Sequence, residues 1–202
     1  MNISIKYLKS LPQPLIGIDE VGRGCLAGPV YAAAVIFKSK IDIETYFDSK
    51  TIKEDKRQKL AESVLANHSA EIGIATVEEI DEINIRQATF LAMKRAAEKI
   101  IKKHKIKTGT LLIDGRDTIP KLGLFEQLAI IKGDQKVRVI SAASLVAKVA
   151  RDQFMTELSS QFEDYGFARH KGYGTEFHRQ QIQIHGPTAW HRQTFSGVKE
   201  YI

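Results

Sequence analysis

Two adjacent acids, Asp19 and Glu20, follow the short apolar run Leu15-Ile-Gly-Ile18 and precede Val21-Gly-Arg-Gly24. Such a run before a glycine cluster reads as a buried strand ending in a tight turn. Isolated carboxylates buried there either cost several kcal/mol or give up their charge. A bound cation removes that penalty, and oxygen-only ligands suit a hard ion such as Mg²⁺ or Mn²⁺. Two further acids close comparable runs: Asp114 follows Thr110-Leu-Leu-Ile113, and Asp134 follows Leu128-Ala-Ile-Ile-Lys-Gly133. Carboxylates on neighbouring strand ends converge in space, and four of them repel strongly unless cations lie between them. Two hard ions about 4 Å apart are a known solution for phosphodiester hydrolysis, one activating a water and the other stabilising the leaving oxygen. Asp114-Gly115 taken alone reads as well as a turn or a helix cap. The pair at 19 and 20 does not, because two neighbouring acids cannot both be caps.

Directly after that pair, Gly22, Gly24 and Gly28 miss the dinucleotide spacing G-x-G-x-x-G, since Ala27 stands where the third glycine belongs. Asp19 and Glu20 would also repel a bare pyrophosphate. A loop whose backbone approaches a ligand fits better, with Arg23 reaching a phosphate or tying the loop down; a tight turn with a solvated arginine fits about as well. Downstream, Arg169-His-Lys-Gly-Tyr-Gly-Thr175 mixes basic groups with an aromatic ring, and His185-Gly-Pro-Thr-Ala-Trp-His-Arg192 repeats that flavour. Basic groups reach phosphates and a ring stacks on a sugar or base. His170, His178, His185 and His191 complete no zinc-ligand spacing. Ser144, Lys148 and Asp152 recur every four residues, but Ala147 stands where a serine–lysine nucleophile motif needs its lysine. Packing and i,i+4 pairing suit them better, with Asp152 in a salt bridge and Lys148 or Arg151 free to face a phosphate. Cys25 reads as a small buried filler.

The elements that must position these groups alternate between strand and helix. Strands are predicted at Leu15 to Asp19, Val30 to Phe37, Glu71 to Val77, Thr110 to Ile113 and Leu128 to Lys132. Helices are predicted at Thr51 to Asn67, Asn84 to Lys103, Ser141 to Phe162 and around Glu176 to Ile184. Interleaved strands and helices indicate an α/β domain. The short link over residues 20 to 29 implies one antiparallel pair, hence a mixed sheet. Residues 1 to 165 are expected to form one catalytic domain, and 166 to 202 a helical C-terminal segment that packs on it and contacts substrate.

Bulk composition allows this and excludes little else. The chain has 202 residues, 43% hydrophobic and 27% charged, enough for one domain with a real core. Thirty basic against 24 acidic residues give a net charge of +6, a moderate bias towards polyanions. A single cysteine excludes an internal disulfide and a cysteine-rich zinc site. The sequence contains no processed leader and no membrane-length apolar run, so a cytoplasmic protein, not membrane-associated, is expected.

Taken in order, these motifs resemble ribonuclease HII. They are G-I-D-E-V-G-R-G-x-L-A-G-P-V at 17 to 30, D-S-K at 48 to 50, N-I-x-x-A-T at 84 to 89 and L-L-I-D-G at 111 to 115. K-G-D at 132 to 134, S-A-A-S-L-V-A-K-V-x-R-D at 141 to 152, K-G-Y-G-T at 171 to 175, G-P-T at 186 to 188 and H-R-x-x-F at 191 to 195 continue the set. The resemblance implies an RNase H-like fold with a mixed five-stranded sheet flanked by helices. It implies a monomeric endonuclease, dependent on Mn²⁺ or Mg²⁺, that cuts the RNA strand of RNA–DNA hybrids. The same enzyme is expected to nick duplex DNA on the 5′ side of an embedded ribonucleotide. Carried onto matching positions, Asp19, Glu20, Asp114 and Asp134 are the metal-binding catalytic acids. Gly22, Arg23 and Gly24 match the loop that reads the ribose 2′-hydroxyl through backbone groups, and Tyr173 matches the residue that senses the adjoining deoxyribose. Lys50, Ser144, Lys148, Arg169, His170 and Lys171 are expected phosphate contacts. Val21, Cys25 and Arg169 depart from the commoner residues at positions that carry no proposed ligand. The sister family, ribonuclease HIII, differs between the two glycines and carries an additional N-terminal domain; Arg23 and the short leading segment favour HII, with an HIII-like two-metal nuclease as the alternative.

Overall fold

The computed structural model describes residues 4–39, 45–46, 52–123 and 125–202. The D-S-K motif with Lys50 lies outside them. Five strands, β1 (Leu15–Val21), β2 (Val30–Ile36), β3 (Ser69–Ala75), β4 (Thr110–Asp114) and β5 (Glu126–Ile130), form one sheet in the order β3-β2-β1-β4-β5. β1–β2 and β2–β3 are antiparallel, whereas β1–β4 and β4–β5 are parallel. This is the mixed sheet expected of the RNase H-like fold. The helices are α1 (Ile5–Ser10), α2 (Glu54–Asn67), α3 (Val77–His104), α4 (Arg138–Ser159), α5 (Phe167–His170) and α6 (Glu176–His185).

Alternation along the strands divides the core in two. Ile16, Ile18, Leu111 and Ile113 pack against Ala88, Ala92, Ala96 and Ile100 of α3. Ala33, Val35 and Leu112 pack on the other face against Val139, Ala142, Ala143 and Val146 of α4. Gly17 lies where a Cβ would run into the Val139 carbonyl, so the first turn of α4 can lie directly on β1 only because that side chain is missing. A third cluster joins Leu26 and Ala27 to Met155 and Leu158 of α4 and to Phe167, Ile182 and Val198 of the tail.

Most element boundaries shift by one to three residues from expectation, and three differences bear on the site. β1 does not end at Asp19 but runs on through Glu20 and Val21, because β2 continues to pair with it as far as Val21↔Tyr31. β5 stops at Ile130, so Asp134 is not at a strand end; it lies in a 3₁₀ turn, Gly133–Gln135, that leads into α4. α3 starts before Asn84, since Thr76 and Glu79 form a reciprocal capping box ahead of Val77. Asn84 then breaks the helix with φ 67°, and its side-chain oxygen accepts from the amides of Arg86 and Gln87, restarting the helix at the expected place.

Candidate active site

The parallel β1–β4 pairing ends at Ile18↔Ile113, so the next residues along the two strands are Asp19 and Asp114. Side by side where the parallel pairing ends, both follow a residue that faces α3, so both point to the α4 side. There the Ser144 hydroxyl of α4 hydrogen-bonds the Asp19 carboxylate. Glu20 takes the opposite face and lines a cleft with Arg23, Asp114, Arg116 and Arg86, above Phe90 and Met93 of α3. Asp134 is buried, and its neighbourhood is fixed by Asp114, whose Oδ1 accepts from the Gly133 amide at 2.6 Å and the Asp134 amide at 3.4 Å.

The electrostatics of this cluster are unbalanced. Burial pushes the Asp19 carboxyl well above the usual carboxylate range, and the charges of Glu20 and Asp114 push it further. The Ser144 hydroxyl and the Glu20 amide, 2.8 Å from Oδ1, pull it back only in part. Burial raises Glu20 as well, against the opposing charge of Arg23, whose guanidinium lies 3.3 Å from Oε1. Among the described residues no three acidic, histidine or cysteine side chains form a ready-made ligand cage. What the site presents is a set of crowded oxygen donors whose mutual repulsion adds to the cost of burying Asp19, which is the chemistry a hard divalent cation satisfies.

Beside the acids, residues 22–25 form a tight turn, with the Cys25 amide reaching the Gly22 carbonyl at 3.4 Å. Gly22 has φ 96° and a Cβ there would collide with the Arg151 guanidinium, so both its backbone angle and its surroundings require glycine. The turn is clasped from the far end of the chain. Cys25 and Tyr173 pair in an isolated antiparallel bridge, and the Leu26 amide donates to the Gly172 carbonyl at 2.8 Å. Tyr173 keeps 42% of its surface exposed, with the Lys148 ammonium 5.9 Å from its ring centroid and its hydroxyl in contact with the buried Cys25 thiol.

Two fully buried arginines underlie the clasp, and among the described residues both donate to main-chain carbonyls and neither pairs with a carboxylate. Arg151 donates to the carbonyls of Ala27 (3.0 Å), Pro29 (3.0 Å) and Lys171 (2.8 Å). Arg192 donates to those of Gly22 (2.6 Å), Arg23 (2.8 Å) and Gly28 (2.8 and 3.0 Å). Burial lowers the Arg192 guanidinium to about 10, which leaves it charged at neutral pH.

The remaining expected contacts divide. Arg169 is exposed at the end of α5. Lys171 is half-buried, its ammonium donating to the Thr156 hydroxyl and the Ala168 carbonyl. His170 is buried: Nε2 meets the Tyr165 carbonyl at 2.7 Å and Nδ1 accepts from the Gly172 amide at 3.2 Å, so both ring nitrogens are used inside the protein. Lys148 pairs with Asp152 at 2.7 Å, and Arg57 lies 3.8 Å from the same carboxylate; Asp152 is thus in a salt bridge, though not with Arg151. His191 and Arg192, expected to face a polyanion, are wholly buried. Sequence reasoning missed Arg86, Arg116 and Asp117, all lining the cleft, with Arg86 and Asp117 paired at 3.1 Å. The available signal was position: Arg116 follows Asp114-Gly115 directly, and Arg86 lies inside the 84 to 89 motif.

Comparison with known proteins agrees over nearly the whole chain. The ribonuclease HII family model matches residues 16–198. Ribonuclease HII of Pelagibacter ubique is 48% identical over 188 residues, covering 93% of this chain and 98% of that protein. Among solved structures, the RNase HII in the PCNA:RNase HII complex from Archaeoglobus fulgidus superposes with a TM-score of 0.72 at 26% identity, over 89% of this chain and 92% of that one. Bst-RNase HIII in complex with Mn²⁺ gives a TM-score of 0.74 at 17% identity, over 97% of this chain and 70% of that one, a likeness of fold.

Proposed function

The chain belongs to the ribonuclease HII family, a group of nucleases that hydrolyse phosphodiester bonds with ribonuclease H activity, and on that premise we propose how this site chooses and cuts its substrate. The substrate is an RNA–DNA hybrid, or duplex DNA carrying a single ribonucleotide. The cut falls on the 5′ side of the ribonucleotide and leaves a 3′-hydroxyl and a 5′-phosphate. One observation carries the reading: Asp19 and Asp114 stand side by side where β1 and β4 part, next to a turn that is itself bridged to Tyr173.

Asp19, Glu20, Asp114 and Asp134 are the residues that would hold divalent ions, Mn²⁺ or Mg²⁺, in a two-ion arrangement. Bound there, the ions supply an activated water and charge stabilisation for the leaving oxygen. The protein's own part is orientation. Ser144 fixes one oxygen of Asp19, and the amides of Gly133 and Asp134 fix Asp114. The turn at Gly22, Arg23 and Gly24 offers backbone amides to the 2′-hydroxyl, the group that distinguishes RNA from DNA. The Tyr173 ring, half exposed across the bridge, packs against the deoxyribose on the other side of the junction. Arg169 and Lys171 sit where residues 166 to 202 contact the phosphate backbone, with Lys148 beside the Tyr173 ring. His170 contributes by holding Gly172 in place.

The test is a DNA duplex with one embedded ribonucleotide, incubated with Mg²⁺ or Mn²⁺. Nicking 5′ of the ribonucleotide is expected, and folded protein that leaves the duplex intact rules the reading out. Cleavage of uniform hybrid with the single ribonucleotide ignored would instead mark an HIII-like specificity.

A further inference from the structure

A strand presents successive carbonyls to opposite sides. At the 22–25 turn, two successive carbonyls, those of Gly22 and Arg23, face the same guanidinium: Arg192 Nη2 lies 2.6 Å from the first and Nη1 2.8 Å from the second. In a trans peptide the N–H points opposite to its C=O. Drawing the two carbonyls inward therefore turns the amides of Arg23 and Gly24 outward. Among the described residues neither amide has a protein acceptor, and both residues are exposed. The planar fork of arginine matches this pair of acceptors, whereas a lysine ammonium has no fixed fork with which to hold both. The guanidinium is itself seated, with its carbon 5.1 Å from the Phe195 ring centroid and its remaining donors on the Gly28 carbonyl.

We propose that Arg192 is a positioning residue for ribonucleotide selection: by holding the Gly22 and Arg23 carbonyls inward, it aims the Arg23 and Gly24 amides at the 2′-hydroxyl. This rests on the reading that the 22–24 turn faces the ribose. The guanidinium is buried and touches no substrate, so it acts only through the two peptide units. A preformed pair of donors selects better than a mobile one because the ordering cost is met in folding, before binding.

The experiment measures the affinity of two otherwise identical duplexes, one all-DNA and one with a single ribonucleotide, in the absence of divalent cations so that nothing is cut. Wild type is expected to prefer the ribonucleotide duplex. Arg192→Lys should lower that preference about tenfold, the worth of one well-placed hydrogen bond, with all-DNA affinity within about twofold of wild type, since nonspecific affinity comes from phosphate contacts. Phe195→Leu, which loosens the guanidinium without removing it, should lose part of the preference while retaining the wild-type fold. Amide hydrogen exchange at Arg23 and Gly24 should slow on binding the ribonucleotide duplex in wild type and fail to slow in Arg192→Lys. If wild type shows no preference, the reading of the turn falls and the proposal with it. A wild-type preference retained in a folded Arg192→Lys overturns the proposal alone; if that variant does not fold, an undiminished preference in Phe195→Leu does the same.

Discussion

His178 and His191 meet Nε2 to Nε2 at 3.0 Å, and neither ring reaches solvent. Their other contacts fix every proton. The Tyr173 carbonyl, 2.9 Å from His178 Nδ1, can only accept, so His178 carries its proton there and its Nε2 is a bare acceptor. His191 must then donate from Nε2, which leaves its Nδ1 to accept from the Thr188 amide at 2.9 Å. The relay runs from Thr188 through two neutral rings to the backbone of Tyr173, and it breaks when either ring gains a second proton. Burial, with the neighbouring rings, holds both histidines down at about 4.

The consequence is a loss of stability on acidification. An unfolded chain takes up protons on these rings below about 6.5, while the folded one refuses them until about 4. The pair's contribution is complete above pH 6.5 and declines as pH falls towards 4, by roughly 3 kcal/mol for the first proton forced on the pair. Asp19 works in the opposite sense, because its raised carboxyl binds protons preferentially in the folded state. Thermal melts of wild type and His191→Gln between pH 7.5 and 4.5 separate the two. The variant's midpoint should depend less on pH over that range, and parallel curves would remove the pair from the account.

Asp19→Asn and Asp114→Asn should each reduce cleavage on the order of a thousandfold, as loss of a principal electrostatic element does. Binding to the ribonucleotide duplex should stay close to wild type. In melts, Mn²⁺ should raise the wild-type midpoint by several degrees through preferential binding to the folded state, and Asp19→Asn should lose most of that rise. The same substitution should raise the midpoint of the cation-free protein, because it removes one of three repelling carboxylates. Undiminished turnover in either variant would remove that residue from the metal site.

Tyr173→Ala should slow cutting at a single ribonucleotide by about tenfold to a hundredfold, the worth of one stacking contact. The ring is 42% exposed, so the melting midpoint should shift little. Unchanged rates at the junction would exclude the ring from substrate sensing.

Arg151→Met should destabilise the fold by about 3 kcal/mol or more, since three inward carbonyls lose their donors. Urea unfolding would show a lower midpoint at unchanged slope. A near-neutral result would mean that waters replace the guanidinium.

Much of this was legible in the sequence because its signals are local. Apolar runs, and alternation in β3, marked all five strands, and the acids after three of them marked the candidate site. Lys148 and Asp152 paired as their i,i+4 spacing requires. Arg192 was not legible in the same way. On the chain it stands among histidines and aromatics and reads as part of a basic surface, but its acceptors are carbonyls 164 to 170 residues away. Main-chain oxygens belong to every residue type, so nothing in the composition reports that a buried cation will use them. His170 misled for the same reason, since one of its partners is also a main-chain carbonyl. The extra turns of α3 before Asn84 were hidden by that residue's break, which ended the apolar period early.

The clasp between residues 22–28 and residues 171–192 also sets an order of assembly during synthesis. The strands that carry Asp19, Glu20 and Asp114 leave the ribosome well before His170, Tyr173 and Arg192. A nascent chain can therefore pair β1 with β4 and bring its acids together while the turn beside them still lacks both its bridge partner and its guanidinium. On the proposed reading, the part that tells ribose from deoxyribose is complete only once Arg192 has been made.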